Sequence, residues 1–327
     1  MPGFTSHYII GQKAFSDLSE CRLKEIIAKH TAVFHLGVQG PDIFFYNVLL
    51  ARHRSAKNVG IIMHEFHVNE FFDNALIHIS NINNKESFDT AVAYIAGYMC
   101  HYVSDSIIHP YIYARIGYKP QQSRKERSLV NSLHCQLEND IDAILLLRYK
   151  NKRPSEFKQH ETFSISKSEE NHLASFLCST INDTYFSERF GNTYCITNGI
   201  IKRSIWAMKM GCKTLQDPRE SKRRKINYIE NLVKASPVVS NKLVTNSIAD
   251  LKQAMNMEHE RWRNPWDTSF VSDASLPELF LRTVRKLNES LYLFNYYIEE
   301  SDFLPQNKKK LLEVLGNYSF HSGLFAG

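Results

Sequence analysis

Residues 97–111 read GYMCHYVSDSIIHPY, and they follow an apolar run at helical spacing over residues 90–99. The spacing predicts a helix closed by Pro110, because proline lacks the amide proton that continues the ladder. Within it His101, Asp105 and His109 recur every four residues. At about 100° per residue they share one stripe that drifts only about 40° per step. The rest of the helix is apolar: Val92, Ile95, Ala96, Tyr98, Met99, Val103, Ile107 and Ile108. Such a helix is buried, and its three polar side chains would then face protein, which is costly unless they are paired or bound to a cation. The simpler alternative is a partly exposed polar face ending in a helix-terminal histidine.

Working outward, nearly every segment carries the helical period, and the fold class is all-α: a multi-helix bundle with its polar centre in the N-terminal half. Residues 8–30 read as one or two short amphipathic helices, with His7 just ahead of them. A helix from Thr31 to Leu36 ends at Gly37, and Gly40-Pro41 then places Asp42 on a bend, where it could simply cap the FFYNVLL segment that follows. Residues 59–79 form one amphipathic helix with His64 and His67 on a shared face. Residues 80–88 are a polar loop. After Pro120 a long helix carries His134 and Glu138 at i and i+4.

The polar segment KNKRPSEFKQHETFSISKSEEN (150–171) suggests a connection between two helical halves, 1–150 and 151–327, packed as one globular unit. Helical periodicity returns over residues 171–190, 199–215, 226–235, 246–262, 277–300 and 306–315, while SPVVSNKLV (236–244) is the only candidate strand. The basic run 222–225, KRRK, could grip phosphates but is also the usual composition of a solvated helix end.

Composition sets the outer limits. The chain has 327 residues, 43% hydrophobic and 23% charged, ordinary for a soluble globular protein with a sizeable core. No signal-peptide pattern or apolar run of about 18 residues is present, so a cytoplasmic location is expected. The six cysteines lack CxxC spacing and read as reduced thiols. A net charge of +6 favours anionic partners only mildly. Histidines are more telling: ten of the fourteen precede residue 150.

Together His7, Asp42, His64, His101, Asp105, His109, His134 and Glu138 are imidazoles and carboxylates without a thiolate pair. That set suits zinc, and it exceeds what one tetrahedral ion needs, which implies two or three ions. In TSHYIIG (5–11), LGVQGPDIFFY (36–46), MHEFHVNEFF (63–72), AYIAGYMCHYVSDSIIHPYIY (93–113) and HCQLENDID (134–142) the chain resembles the zinc-dependent phospholipase C family. It also resembles the N-terminal catalytic domain of glycosylphosphatidylinositol-specific phospholipase D. The likeness covers about residues 1–150, with RWRNPWD (261–267) only loosely similar beyond. It implies one metal on Asp42, His64, His101 and Asp105, a second on His109, His134 and Glu138, and a third on His7 with Asp105 as bridge. Secreted relatives complete the third site with an N-terminal Trp; here the start is Met1-Pro2, and a freed Pro2 amine is the expected substitute.

The implied chemistry is hydrolysis of a phosphodiester by a metal-activated water, with Asp42 touching the first metal and orienting or deprotonating that water. His67 and Tyr102 are candidates for a supporting role, with plain packing as the alternative. The expected substrate is a phospholipid or related phosphodiester, with transient membrane-surface contact and no stable nucleic-acid partner. Two competing readings are a three-zinc nuclease acting on single strands, which would want aromatic platforms for bases, and a non-catalytic helical protein stabilised by zinc.

Overall fold

The computed structural model describes residues 3–47, 58–121, 123–186, 195–233, 236–299 and 303–326. Its helices, in chain order, are α1 (Phe4–Asp17), α2 (Arg22–Lys29), α3 (Thr31–Gly37), α4 (Val59–Glu65), α5 (Val68–Ser80), α6 (Lys85–Arg115), α7 (Arg124–Lys150), α8 (Gln159–Thr162), α9 (Lys167–Tyr185), α10 (Asn198–Leu215), α11 (Ser221–Leu232), α12 (Leu251–Met255), α13 (Leu276–Glu299) and α14 (Pro305–Leu315). Short 3-10 turns include Gly40–Tyr46 and Ser240–Lys242. The only regular strands among the described residues are β1 (Trp262–Arg263) and β2 (Val271–Ser272), antiparallel with Trp262 opposite Ser272. No described helix is long and apolar enough to cross a membrane.

The axis of the molecule is α6. From Phe88 to Ile112 it is buried on almost every side, including Tyr94, Tyr98, Tyr102 and Tyr111, as expected of a helix that is apolar all round. Helices α3, α9 and α13 pack against it. The crossing with α3 is backbone on backbone: a Cβ added at Gly37 would stand 2.1 Å from the Tyr94 carbonyl oxygen, and one at Gly97 would stand 2.1 Å from that of Phe34. No other residue fits either position without moving a helix.

Two helix starts show how distant chain segments are tied. Helix α7 begins on a capping box in which Ser123 and Glu126 bond each other's backbone N–H, a feature that contributes about 1 kcal/mol. Helix α1 has no side-chain cap of its own; instead Asp142 of α7 accepts from Thr5 N (2.9 Å), Ser6 N (2.7 Å) and Ser6 Oγ (2.5 Å). This carboxylate at a helix N-terminus locks α1 onto α7 and starts α1 ahead of His7, which therefore lies inside the helix rather than before it.

Other sequence expectations are corrected. The single helix over residues 59–79 is broken: Phe66 is extended and His67 is left-handed at φ 54°, so α4 and α5 take different directions. His64 is then buried while the half-exposed His67 pairs with Glu70 at 3.0 Å, and the two do not share a face. Pro110 does not end α6, which runs on to Arg115; the last turn is fixed by Tyr111 and Arg115 bonding the Gln253 carbonyl. Residues 246–262 are helical only in α12, because left-handed Asn256 turns the chain and binds Glu260, Asp273 and Ala274. SPVVSNKLV is a turn rather than a strand, held where Glu230 accepts from Val239 N. In the basic run, Lys222 bonds the carbonyls of Thr214 and Gln216, and Arg223 bonds Thr245 and Ser247. Of the expected helix over residues 44–50, Phe44 to Tyr46 belong to the 3-10 turn Gly40–Tyr46, which Asn47 caps, and residues 48–50 lie outside the described residues. All six cysteines are unpaired.

Candidate metal centre

Five segments bring their polar side chains to one place. Helix α1 supplies His7, the Gly40–Tyr46 turn Asp42, α4 His64, α6 His101, Asp105 and His109, and α7 His134 and Glu138. Gly40, at φ 51°, lets the turn press against α6; a Cβ there would stand 2.4 Å from the His101 ring. Asp42 is thereby delivered beside His64 and His101. Its carboxylate oxygens accept no hydrogen bond, so the helix-cap alternative does not hold.

Asp105 is the hub. Its Oδ1 lies 3.1 Å from His7 Nε2, and its Oδ2 lies 3.3 Å from His101 Nε2, 3.7 Å from His64 Nε2 and 3.6 Å from His109 Nδ1. Three sets of donor atoms, each within 4.8 Å of one another, are His7/His101/Asp105, Asp42/His64/His101 and His109/His134/Glu138, the first two sharing His101. The last is closed by His134 Nε2 to Glu138 Oε1 at 2.6 Å and His109 Nε2 to Glu138 Oε1 at 3.7 Å. All eight residues singled out in the sequence are thus gathered.

Backbone carbonyls orient two of the rings. His64 Nδ1 donates to the Gly60 carbonyl at 2.6 Å and His109 Nδ1 to the Phe320 carbonyl at 2.7 Å, so in both rings Nε2 carries the lone pair that a metal needs. Tyr102, proposed as a supporting residue, acts at one remove: its hydroxyl donates to the Gly316 carbonyl at 3.1 Å and accepts from Tyr318 N at 2.9 Å.

Whether these residues fit metal ions can be tested on their polar atoms. Both nitrogens of His7 and His101, both oxygens of Asp42 and Asp105, and the Nε2 atoms of His64 and His109 are buried without a hydrogen-bond partner. Each such group costs about 1–3 kcal/mol, and a domain is stable by only about 5–15 kcal/mol. Cations bound among these side chains would take the lone pairs, and the donor set fits them. Electrostatics agree. Burial would raise the Asp42 and Asp105 carboxyls, but the histidines beside them hold Asp42 below and Asp105 well below the usual carboxylate range. Burial pushes His109 and His134 well below the usual imidazole range, leaving them neutral, the ligand form, and pushes the Glu138 carboxyl well up. A cation at Glu138 would supply the charge that favours its carboxylate.

One group at this centre was not foreseen. His321, from the C-terminal segment, lies nearly parallel to the His64 ring (13°) with centroids 5.5 Å apart, and 5.7 Å from the His109 ring. No periodicity or spacing in SFHSG points there.

A cavity of about 500 Å³ opens beside Glu138, lined by Phe4, Phe45, Tyr46, Met210, Leu215 and Lys242 among others.

A family model described as zinc dependent phospholipase C matches residues 6–194 of the chain. No curated protein and no solved structure matches it. The match covers more than half of the chain and every residue of the three donor sets, and the chain belongs to this zinc-dependent family. The narrower likeness to the phospholipase D domain rests on the quoted motifs alone.

Proposed function

We propose that this member of the zinc-dependent phospholipase C family cleaves a phospholipid on the glycerol side of its phosphodiester, releasing a phosphorylated headgroup and diacylglycerol. The observation that carries the reading is that His101 is common to two buried donor sets while Asp105 lies within 3.7 Å of histidines from all three, which suits ions spaced closely enough to engage one phosphate. Two or three zinc ions are expected, on Asp42, His64, His101 and Asp105, on His109, His134 and Glu138, and on His7 with Asp105. Bound zinc supplies acidification of water and neutralisation of charge on the phosphoryl oxygens. The His109/His134/Glu138 set offers three protein ligands, the number that leaves a coordination position open for catalysis rather than closing a structural site.

The chain's own residues do the rest. Asp42 Oδ1 faces His64 Nε2 at 3.3 Å, and Oδ2 is buried without a partner, available to accept a proton from the attacking water. His64 and His101 flank Asp42 and keep it ionised and in place. The water oxygen bonds to phosphorus as its proton passes to Asp42, the bond from phosphorus to the glycerol oxygen breaks, and that oxygen takes a proton from solvent water; Asp42 then returns its proton to solvent. The cavity beside Glu138 sets Phe4, Phe45, Tyr46, Met210, Leu215 and Val244 beside polar Asn139, Asp142, Gln159, Thr214 and Lys242, a mixed lining that suits an amphipathic substrate.

Contact with the lipid surface has a candidate face on α11. Tyr228, Ile229 and Leu232 form a stripe at helical spacing, each more than half exposed, and Lys225 continues that stripe. An apolar stripe with a cation at its end suits an anionic bilayer surface. Helix α11 packs on the Ser240–Lys242 turn, and Lys242 of that turn lines the cavity.

The test is to incubate zinc-loaded protein with short-chain phosphatidylcholine, phosphatidylinositol and single-stranded DNA, with Asp42→Asn as the control for contaminating activity. Headgroup phosphate and diacylglycerol released by the wild type alone support the reading. Cleavage of DNA without lipid turnover replaces it with the nuclease.

A further inference from the structure

Residues 316–324 lie beyond the family match, yet they form one wall of the metal centre. The segment is pinned to α6 by Tyr102, whose hydroxyl bonds both Gly316 and Tyr318, and by Gly323, where a Cβ would stand 2.4 Å from the Ser106 carbonyl oxygen. Phe320 N donates to the His64 carbonyl at 3.4 Å while its own carbonyl accepts from His109, and Asn264 Nδ2 donates to the Ser322 carbonyl at 2.8 Å. His321 is therefore held from both sides. Its ring spans the gap between the set that contains His64 and the set that contains His109.

The ring belongs to none of the three donor sets, so it is not placed as a ligand. Its Nδ1 lies 3.4 Å from the Tyr113 hydroxyl. Either atom can donate in this contact; with the hydroxyl donating to Nδ1, the arrangement this inference takes, the ring proton sits on Nε2, which makes no hydrogen bond among the described residues. A neutral donor above two metal sites that would share a phosphodiester has one natural acceptor. We infer that His321 binds the substrate phosphate, donating from Nε2 to a non-bridging oxygen, and that residues 316–324 are the strap that positions it. This rests on the phosphodiesterase reading above. The competing role is packing alone, a flat ring covering His64.

Zinc-loaded wild type, His321→Phe, His321→Asn and Tyr113→Phe separate the two when zinc content, melting temperature and inorganic phosphate affinity by calorimetry are compared. His321→Phe keeps the ring and loses the donor; it should weaken phosphate binding roughly tenfold to a hundredfold, the range for a hydrogen bond to a charged group, at unchanged zinc content. His321→Asn restores a donor and should recover part of the loss. Tyr113→Phe, which frees the tautomer, should fall between wild type and His321→Phe. Phosphate affinity within twofold of wild type in His321→Phe reduces His321 to packing. Loss of zinc in both His321 variants makes it a metal ligand; either result overturns the inference alone. A zinc-replete wild type that binds no phosphate overturns the phosphodiesterase reading and this inference with it.

Discussion

Asp105 Oδ1 lies 3.1 Å from His7 Nε2, joining the first turns of the chain to the middle of its central helix inside a fully buried centre. Without a cation both nitrogens of His7 and both oxygens of Asp105 are left without a hydrogen-bond partner, so the geometry links metal binding to folding. His101→Ala and Asp105→Ala should each lower zinc content and reduce the melting temperature by several degrees, Asp105→Ala more, because it removes the hub. Thermal denaturation with parallel elemental analysis checks this. A full zinc complement in Asp105→Ala would remove Asp105 from the metal centre.

Asp42→Asn keeps shape and volume but is a poorer ligand and cannot accept the proton. Turnover on a verified substrate should fall about a hundredfold or more, the scale of general-base contributions, with the fold intact. Survival of activity within a few-fold would return Asp42 to the role of a turn residue.

The α3/α6 crossing positions the centre, since Gly40 and His101 follow directly from it. Gly97→Ala places a methyl 2.1 Å from the Phe34 carbonyl oxygen and should destabilise the protein by about 3 kcal/mol or more, at the upper end of single-residue effects. Zinc content should fall with it. Urea denaturation that shows a change below about 0.5 kcal/mol would mean that the two backbones do not meet as described.

How much of this centre could be read from the chain depended on whether the signal was local. His101, Asp105 and His109 announce themselves because ligand spacing and helix period coincide on α6, and Gly40-Pro41 marks the bend that carries Asp42. The break at His67 is invisible because a left-handed histidine carries no glycine signal and is set by how α4 and α5 pack. Pro110 misleads for the opposite reason: tertiary contacts at Tyr111 and Arg115 hold the last turn despite the missing amide. His321 and the Phe320 carbonyl reach the site only through the path of the C-terminal segment, which no local pattern encodes.

If α11 meets a lipid surface, Ile229→Glu and Leu232→Glu should reduce binding to anionic vesicles and hydrolysis of bilayer lipid severalfold, while leaving hydrolysis of monomeric short-chain lipid unchanged. Both side chains are more than half exposed, so the fold should not suffer. Vesicle sedimentation together with both assays checks this, and equal losses on the two substrates would contradict it.

The central claim is that eight buried side chains from five segments exist to hold several metal ions. Elemental analysis of protein purified without chelator tests it most directly. The account predicts two to three zinc ions per chain; less than one equivalent of any transition metal would contradict it.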